Sequence, residues 1–273
     1  MNTPKWMRFM IQPPEGYALI AQDYRNQEPG IAGALSGDEN LMRAYRSGDI
    51  YSWMAIQSGY MPKGGSKKTH PQERNIFKRL VLATQYGARA ESLAEWIQSS
   101  IGEAEKLIRW HRRIFRDFWK WQKGVVSYAL YQNQISTNHG WTLHLKDKII
   151  ERPNGDTFVQ ETNLRMLQNY QMQGTGSHIL QWAMMLGWDH GLEITCPIHD
   201  AWLVQCRIED IEETVELSEE ILREASRIVL PHDFEIDVDT EICVYPNRLG
   251  SDDKGAIEMW NRVCELIPEV GEL

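Results

Sequence analysis

The sequence predicts an α+β fold built around an antiparallel sheet. Three observations carry this. Tyr17 to Asp23 (YALIAQD) is a short apolar run ending in a carboxylate and reads as a buried strand. Gly191 to Ile208 (GLEITCPIHDAWLVQCRI) reads as two apolar strands joined by a tight turn at His199-Asp200. The helical patterns do not alternate one-for-one with strands, which argues against a doubly wound sheet.

After the first strand, helical patterns lie around Asn40 to Tyr45 and Ser52 to Ser58. Lys63 to Lys68, with Gly64 and Gly65, reads as a flexible basic loop. Thr69-x-x-Gln72 has the spacing of a capping box, with Pro71 in the first turn, so a helix should run through Ala83 or beyond. Further helices are expected over Ala88 to Ser99 and, as one long basic, Trp-rich element, over Glu103 to Gln122. Residues 135 to 160 read as short strands around turns at His139-Gly140 and Asn154-Gly155. A helix over Asn163 to Trp188 precedes the hairpin. An acidic helix over Glu209 to Ile228 and a strand over Phe234 to Val244 follow it.

The 273 residues suffice for one large domain or two closely packed ones, and the 42% hydrophobic and 25% charged fractions are those of a globular protein. Eleven tryptophans and ten tyrosines can furnish an aromatic core. No apolar run approaches the roughly 18 residues of a membrane span. The N-terminus has no apolar signal-peptide segment, so the expected compartment is the cytoplasm. Cys196, Cys206, Cys243 and Cys264 form no C-x-x-C pair, which speaks against a zinc site, and they read as reduced, buried thiols.

The net charge of −9 is unevenly placed. Arg207 to Leu273 holds 19 acidic and 6 basic residues, and the rest of the chain is net positive. Lys63, Lys67, Lys68, Arg74, Lys78, Arg79 and Arg89 face one acid, Glu73. Lys106, Arg109, Arg112, Arg113, Arg116, Lys120 and Lys123 face one, Asp117. Such stripes are either solvated helix faces or local phosphate-binding surfaces.

Asp23 at a strand end and Asp200 at a hairpin turn can bring two hard oxygen donors to one sheet edge, as two magnesium ions need for in-line phosphoryl displacement. Arg74, Lys78, Leu82 and Tyr86, spaced by four, share a helical face. Two cations followed by a tyrosine suit a triphosphate and then a base. The bland alternative is an amphipathic helix with Tyr86 in the core.

The local wording decides between these. DYRNQEPGIAGALSGD (Asp23 to Asp38) resembles motif A of the family A DNA polymerases, and RNIFKRLVLATQYG (Arg74 to Gly87) resembles motif B. NLRMLQNYQMQGTGSHIL (Asn163 to Leu180) resembles the R-x-x-x-N-x-x-x-Q-G-T-A-A-D segment, and IHDAWLV resembles motif C. The motifs stand in the family's order, and LATQYGARAESLA is most similar to its phage branch. The resemblance implies a right-hand architecture: palm over 1–48, helical fingers over 49–134 and palm again over 135–273. It implies DNA-directed DNA synthesis with two Mg2+ ions, with primer–template DNA and dNTPs as partners and no membrane. By the same resemblance Asp23, Asp200 and the Tyr24 backbone carbonyl bind metal. Arg74 and Lys78 hold the triphosphate, and Lys78 protonates pyrophosphate. Tyr24, Leu82 and Tyr86 line the nucleotide site, with Tyr86 stacking at the nascent pair, and Glu28 excludes a ribose 2′-hydroxyl. Arg165, Asn169 and Gln173 read the minor groove, and His199 supports the primer end.

Several positions depart from the pattern: Leu82 and Ala83 replace Phe-Gly, Ala201 replaces the acid after the motif C aspartate, Gly30 replaces an arginine and His178 an aspartate. Only 22 residues precede Asp23, fewer than a thumb or exonuclease domain needs. The expectation is a split or shortened polypeptide, or a fragment, that takes a thumb in trans from an upstream polypeptide. A single-subunit RNA polymerase, opposed by Tyr24 and Glu28, and a non-catalytic primer–template-binding accessory are the competing readings.

Overall fold

The apolar run at Tyr17 forms strand β1 (Tyr17–Tyr24), and Ala18, Leu19 and Ile20 in succession are buried. Consecutive burial means that both faces are covered, which is why the run does not alternate with polar residues. This is a computed structural model and describes residues 4–145, 148–151, 157–160, 163–250 and 253–267. The expected Asn154-Gly155 turn lies outside the described residues. The chain divides into a sheet unit (residues 1–25, 179–228 and 235–273) and a helical unit (residues 26–178 and 229–234).

In the sheet unit, β6 (Glu193–Ile198) and β7 (Ala201–Arg207) form the predicted hairpin, and β8 (Val238–Val244) completes an antiparallel sheet of order β6-β7-β1-β8. Helix α8 (Leu164–Asp189) reaches this unit with its C-terminal part. A Cβ at Gly187 would meet Ile194 Cδ1 at 2.8 Å and the Trp202 ring at 3.2 Å, so glycine is what lets the helix approach β6 and β7 so closely. The fully buried Trp202 donates its indole N–H to Gln22 Oε1 at 2.7 Å. The acidic helix α9 (Ile211–Val229) buries Ile221, Leu222 and Ala225 and keeps its glutamates outside, several of them paired to Arg223 and Arg227. A C-terminal helix, α10 (Lys254–Leu266), is joined to the 3₁₀ turn Lys5–Met10 by a Phe9–Trp260 stack at 5.9 Å.

Strand β8 is shorter than expected. Before Val238 the backbone bonds elsewhere: Ile236 N–H donates to Ser226 Oγ at 3.0 Å, and Asp237 C=O accepts from Arg25 N–H at 2.8 Å. Of the cysteines, Cys206 and Cys243 are buried as expected. Cys196, on the edge strand, and Cys264, on α10, are exposed.

The helical unit holds α1 (Gln27–Ser36), α2 (Glu39–Arg46), α3 (Ile50–Gln57), α4 (Pro71–Gln85), α5 (Ala90–Ile97), α6 (Ile101–Ile114) and α7 (Arg116–Gln132). It also holds the hairpins β2 (Gln134–Ser136) with β3 (Thr142–His144) and β4 (Lys148–Glu151) with β5 (Thr157–Gln160). Its core includes Met54, Phe77, Leu80, Leu93, Leu107, Phe115 and Phe118. Most of the tryptophans stay out of the fully buried core; Trp96, Trp141, Trp182 and Trp188 are exposed.

Two expectations fail in the helical unit. The single helix over Glu103 to Gln122 is two, broken at Phe115, which is buried with φ −110° and ψ 53°. The buried Asp38 stabilises the break, its Oδ2 accepting from the N–H groups of Asp117 (3.1 Å) and Phe118 (3.0 Å). The capping box at Thr69 does not form. The N-cap of α4 is His70, without a side-chain cap, and Thr69 Oγ1 accepts from Ser66 N–H at 3.0 Å instead. Pro71 at the helix start limits the loss, since its missing N–H needs no partner there.

Candidate active site

In the sheet unit the two aspartates meet through the backbone. Asp23 lies opposite Ala201 across the β1–β7 ladder, and Tyr24 N–H donates to Asp200 C=O at 3.1 Å, so the β1 end and the hairpin turn are tied together. His199 takes a left-handed φ of 56° to make that turn, and its Nδ1 is 3.3 Å from Asp200 Oδ1. The Tyr24 side chain is buried, donating to Leu222 C=O at 2.7 Å.

A third carboxylate stands here. Asp239 on β8 lies directly across from Asp23, and directly opposed residues present their side chains on one face. Arg25 answers it, with Nε 2.7 Å from Asp239 Oδ1 and further contacts from Nη2 to Asp239 and from Nη1 to Asp237. The Asp23 carboxyl is raised above the usual carboxylate range although it remains solvent-exposed at the strand end. Partial desolvation is the largest cause, followed by the charges of Asp200 and Asp239, while Arg8 and a backbone hydrogen bond pull the other way. The edge therefore holds more negative charge than its neighbours neutralise, a condition that a divalent cation relieves. No three His, Cys, Asp or Glu side chains among the described residues form a ready-made metal cage. Two carboxylates with an open side fit Mg2+, which keeps waters and takes substrate phosphate oxygens rather than an all-protein shell.

The other expected residues lie in the helical unit. On α4 the stripe is open: Lys78, Leu82 and Tyr86 are exposed, and Lys78 has no ion-pair partner among the described residues. Tyr86, 41% exposed, is not a core residue. Its hydroxyl donates to Glu28 Oε1 at 2.8 Å, and Gln173 Nε2 donates to the same Glu28 oxygen. Glu28, Tyr86 and Gln173, far apart in sequence, thus form one network. Arg165 on α8 is exposed and Asn169 is buried. Arg74 is partly buried and engaged by Asp49 and Tyr51.

At the turn after α4 a cavity of about 510 Å3 is lined by Gly87, Arg89, Arg109, Arg112, Trp119 and Gln168, among others. Arg112 stacks on Trp119 at 4.8 Å, and Gln168 Oε1 is buried without a hydrogen-bond partner.

Sequence reasoning missed Asp49, Tyr51, Arg25 and Asp239. The available signal for the last was its place, two residues after Asp237, in a run that reads as a strand from Phe234 to Val244. Asp49 before an apolar helical pattern was an N-cap signal that said nothing of Arg74.

Comparison with known proteins gives one consistent result. The sequence model for DNA polymerase family A matches residues 2–244. The thermostable DNA polymerase I of Thermus aquaticus is 24% identical over 229 residues, covering 82% of this chain and 27% of that enzyme. DNA polymerase I of Aquifex aeolicus is 26% identical over 243 residues, covering 84% and 39%. DNA polymerase theta of Caenorhabditis elegans is 26% identical over 193 residues, covering 69% and 11%. Among solved structures, the POL domain of Pol1 from M. smegmatis, in complex with DNA primer-template and dNTP, matches the fold with a TM-score of 0.73. Its identity is 24%, over 89% of this chain and 43% of that one. The chain thus spans about a quarter of the length of the Thermus relative.

Proposed function

Because this chain belongs to DNA polymerase family A, we propose that it performs template-directed DNA synthesis, joining a dNTP to a primer 3′-hydroxyl with release of pyrophosphate. The observation that carries the reading is the Tyr24–Asp200 backbone bond, which sets the motif A and motif C aspartates side by side at an electronegative edge. Two Mg2+ ions held by Asp23, Asp200 and the Tyr24 carbonyl would supply charge stabilisation for an in-line displacement. Lys78 and Arg74 hold the triphosphate, and Lys78 gives a proton to the departing pyrophosphate. Tyr86 covers the new base pair, and Leu82 lines the sugar side. Glu28, held by Tyr86 and Gln173, would exclude a ribose 2′-hydroxyl. Arg165 and Asn169 follow the minor groove of the primer–template, and His199 supports the primer end. The arginine- and tryptophan-lined cavity after α4 suits the unpaired template strand, since guanidinium groups take phosphates and an indole takes a base.

In this reading residues 1–48 and 135–273, which include the sheet, are the palm and residues 49–134 are the fingers. The wording LATQYGARAESLA supports the phage branch, and with it a bacterial host cytoplasm. No helix among the described residues is long and apolar enough to cross a membrane. Primer extension with magnesium tests the whole proposal. The chain is expected to add deoxynucleotides in preference to ribonucleotides, and Asp200→Asn to fold normally and add none. Near-normal incorporation by that variant removes Asp200 from the mechanism. Tight primer–template binding with no synthesis by the unsubstituted chain replaces the enzyme with a DNA-binding accessory.

A further inference from the structure

Asp49, in the turn before α3, engages two elements with one carboxylate. As the N-cap it accepts from the Ser52 hydroxyl at 2.6 Å and from Ser52 N–H at 3.4 Å. Both of its oxygens also accept from Arg74 Nε on α4, at 3.0 and 2.8 Å. The Arg74 guanidinium lies over the Tyr51 ring, 4.9 Å from its centroid, and Tyr51 is buried. The contact is partly shielded, with side-chain exposures of 19% for Arg74 and 31% for Asp49. Burial works to raise the Asp49 carboxyl, but the hydrogen bonds from Arg74 and Ser52 and the Arg74 charge outweigh it and hold it below the usual range.

These contacts use Nε and the flat face of the guanidinium. Its two terminal amines have no partner among the described residues. An arginine side chain is otherwise rich in rotamers, and a planar fork binds phosphate oxygens well only when its plane is set in advance. Here one edge is clamped by a carboxylate and one face by a ring, while the outer edge remains available.

We propose that Asp49 is a positioning residue for nucleotide binding: with Tyr51 beneath, it fixes Arg74 so that the two terminal amines meet the phosphates of the incoming nucleoside triphosphate. This rests on the reading that the α4 stripe holds the triphosphate. Its consequence runs against simple charge counting. A carboxylate beside a phosphate site should weaken binding, whereas this one strengthens it by aiming the cation.

The test uses the full chain with a primer–template ending in a dideoxynucleotide and measures dNTP dissociation constants. Asp49→Ser keeps an N-cap acceptor but is too short to hold Arg74. It is expected to weaken dNTP binding about tenfold, the factor for one misplaced charge-assisted contact. In extension assays KM for dNTP should rise with kcat within about twofold. Asp49→Asn, which keeps an acceptor for Nε, should recover most of the loss. In an Arg74→Ala background Asp49→Ser should add nothing, because its effect passes through Arg74. Primer–template affinity should not move, as it would if the substitution disturbed the helices more widely. Unchanged or tighter dNTP binding by Asp49→Ser, or additive effects in the double variant, overturns the proposal alone. Absence of saturable dNTP binding by the unsubstituted chain overturns the polymerase reading and this role with it.

Discussion

His111 in α6 is buried, and its ring packs against Phe115 at 4.8 Å, Phe118 at 6.5 Å and Trp119 at 5.9 Å. Its Nδ1 accepts the Trp119 indole N–H at 3.0 Å, a bond that needs that nitrogen unprotonated. Burial, with the Arg112 charge added, lowers its pKa from 6.5 to about 3. The folded value lies below the unfolded one, so as pH falls below 6.5 the unfolded chain takes up a proton that the folded chain refuses. Stability should therefore decline on acidification, by up to about 1.4 kcal/mol per pH unit for one such group. Denaturant titrations from pH 6.5 to 5 on the chain and on His111→Phe should differ in slope by that amount. Parallel curves would mean that His111 is protonated without penalty. At this scale the sequence is unevenly legible. The strand-end place of Asp23 and the turn place of Asp200 are legible locally, while their proposed chemistry came from the motifs around them. The role of Asp49 is not legible, because its second partner lies 25 residues downstream and only the packing of α3 against α4 brings the two together.

Helix α4 keeps most of the open face that its sequence pattern gave it, although its expected capping box does not form. Its spacing by four predicted a common face, and that face is open at Lys78, Leu82 and Tyr86 while Phe77, Leu80, Val81 and Ala83 are buried behind it. If the stripe holds a triphosphate, Lys78→Ala should cost at least about 1.5–3 kcal/mol of transition-state stabilisation, the range for one charge-assisted contact. Lys67→Ala, in the exposed loop before the helix, should cost little. Comparison of kcat/KM for the two decides it, and equal small losses would return Lys78 to the status of a solvated surface charge. Where elements were misread, the cause lies outside the local sequence. The break between α6 and α7 falls inside a continuous helical pattern, and the carboxylate that stabilises it sits 79 residues upstream at Asp38. Helix α1 was not assigned because Pro29, Gly30 and Gly33 depress its propensity. The proline nevertheless falls in the first turn, where it is tolerated, and a Cβ at Gly33 would come within 3.2 Å of Met42 Cγ.

Across the whole molecule, charge is divided as the sequence indicated, with the acidic C-terminal 67 residues in contrast to the basic helices before them. If the chain binds primer–template through Lys and Arg stripes alone, affinity should fall steeply with salt and extension should be distributive. Extension assays across a salt series check this. Long products from the chain alone at about 150 mM salt would show that it grips DNA unaided. The helical unit in turn owes part of its coherence to Asp38. Oδ1 holds the start of α2 through Leu41 N–H at 3.0 Å, while Oδ2 holds the start of α7. Two helix origins thus share one carboxyl group. Loosening that one side chain, as Asp38→Asn would, is expected to free both helix starts at once, because each donates its hydrogen bond to the same group.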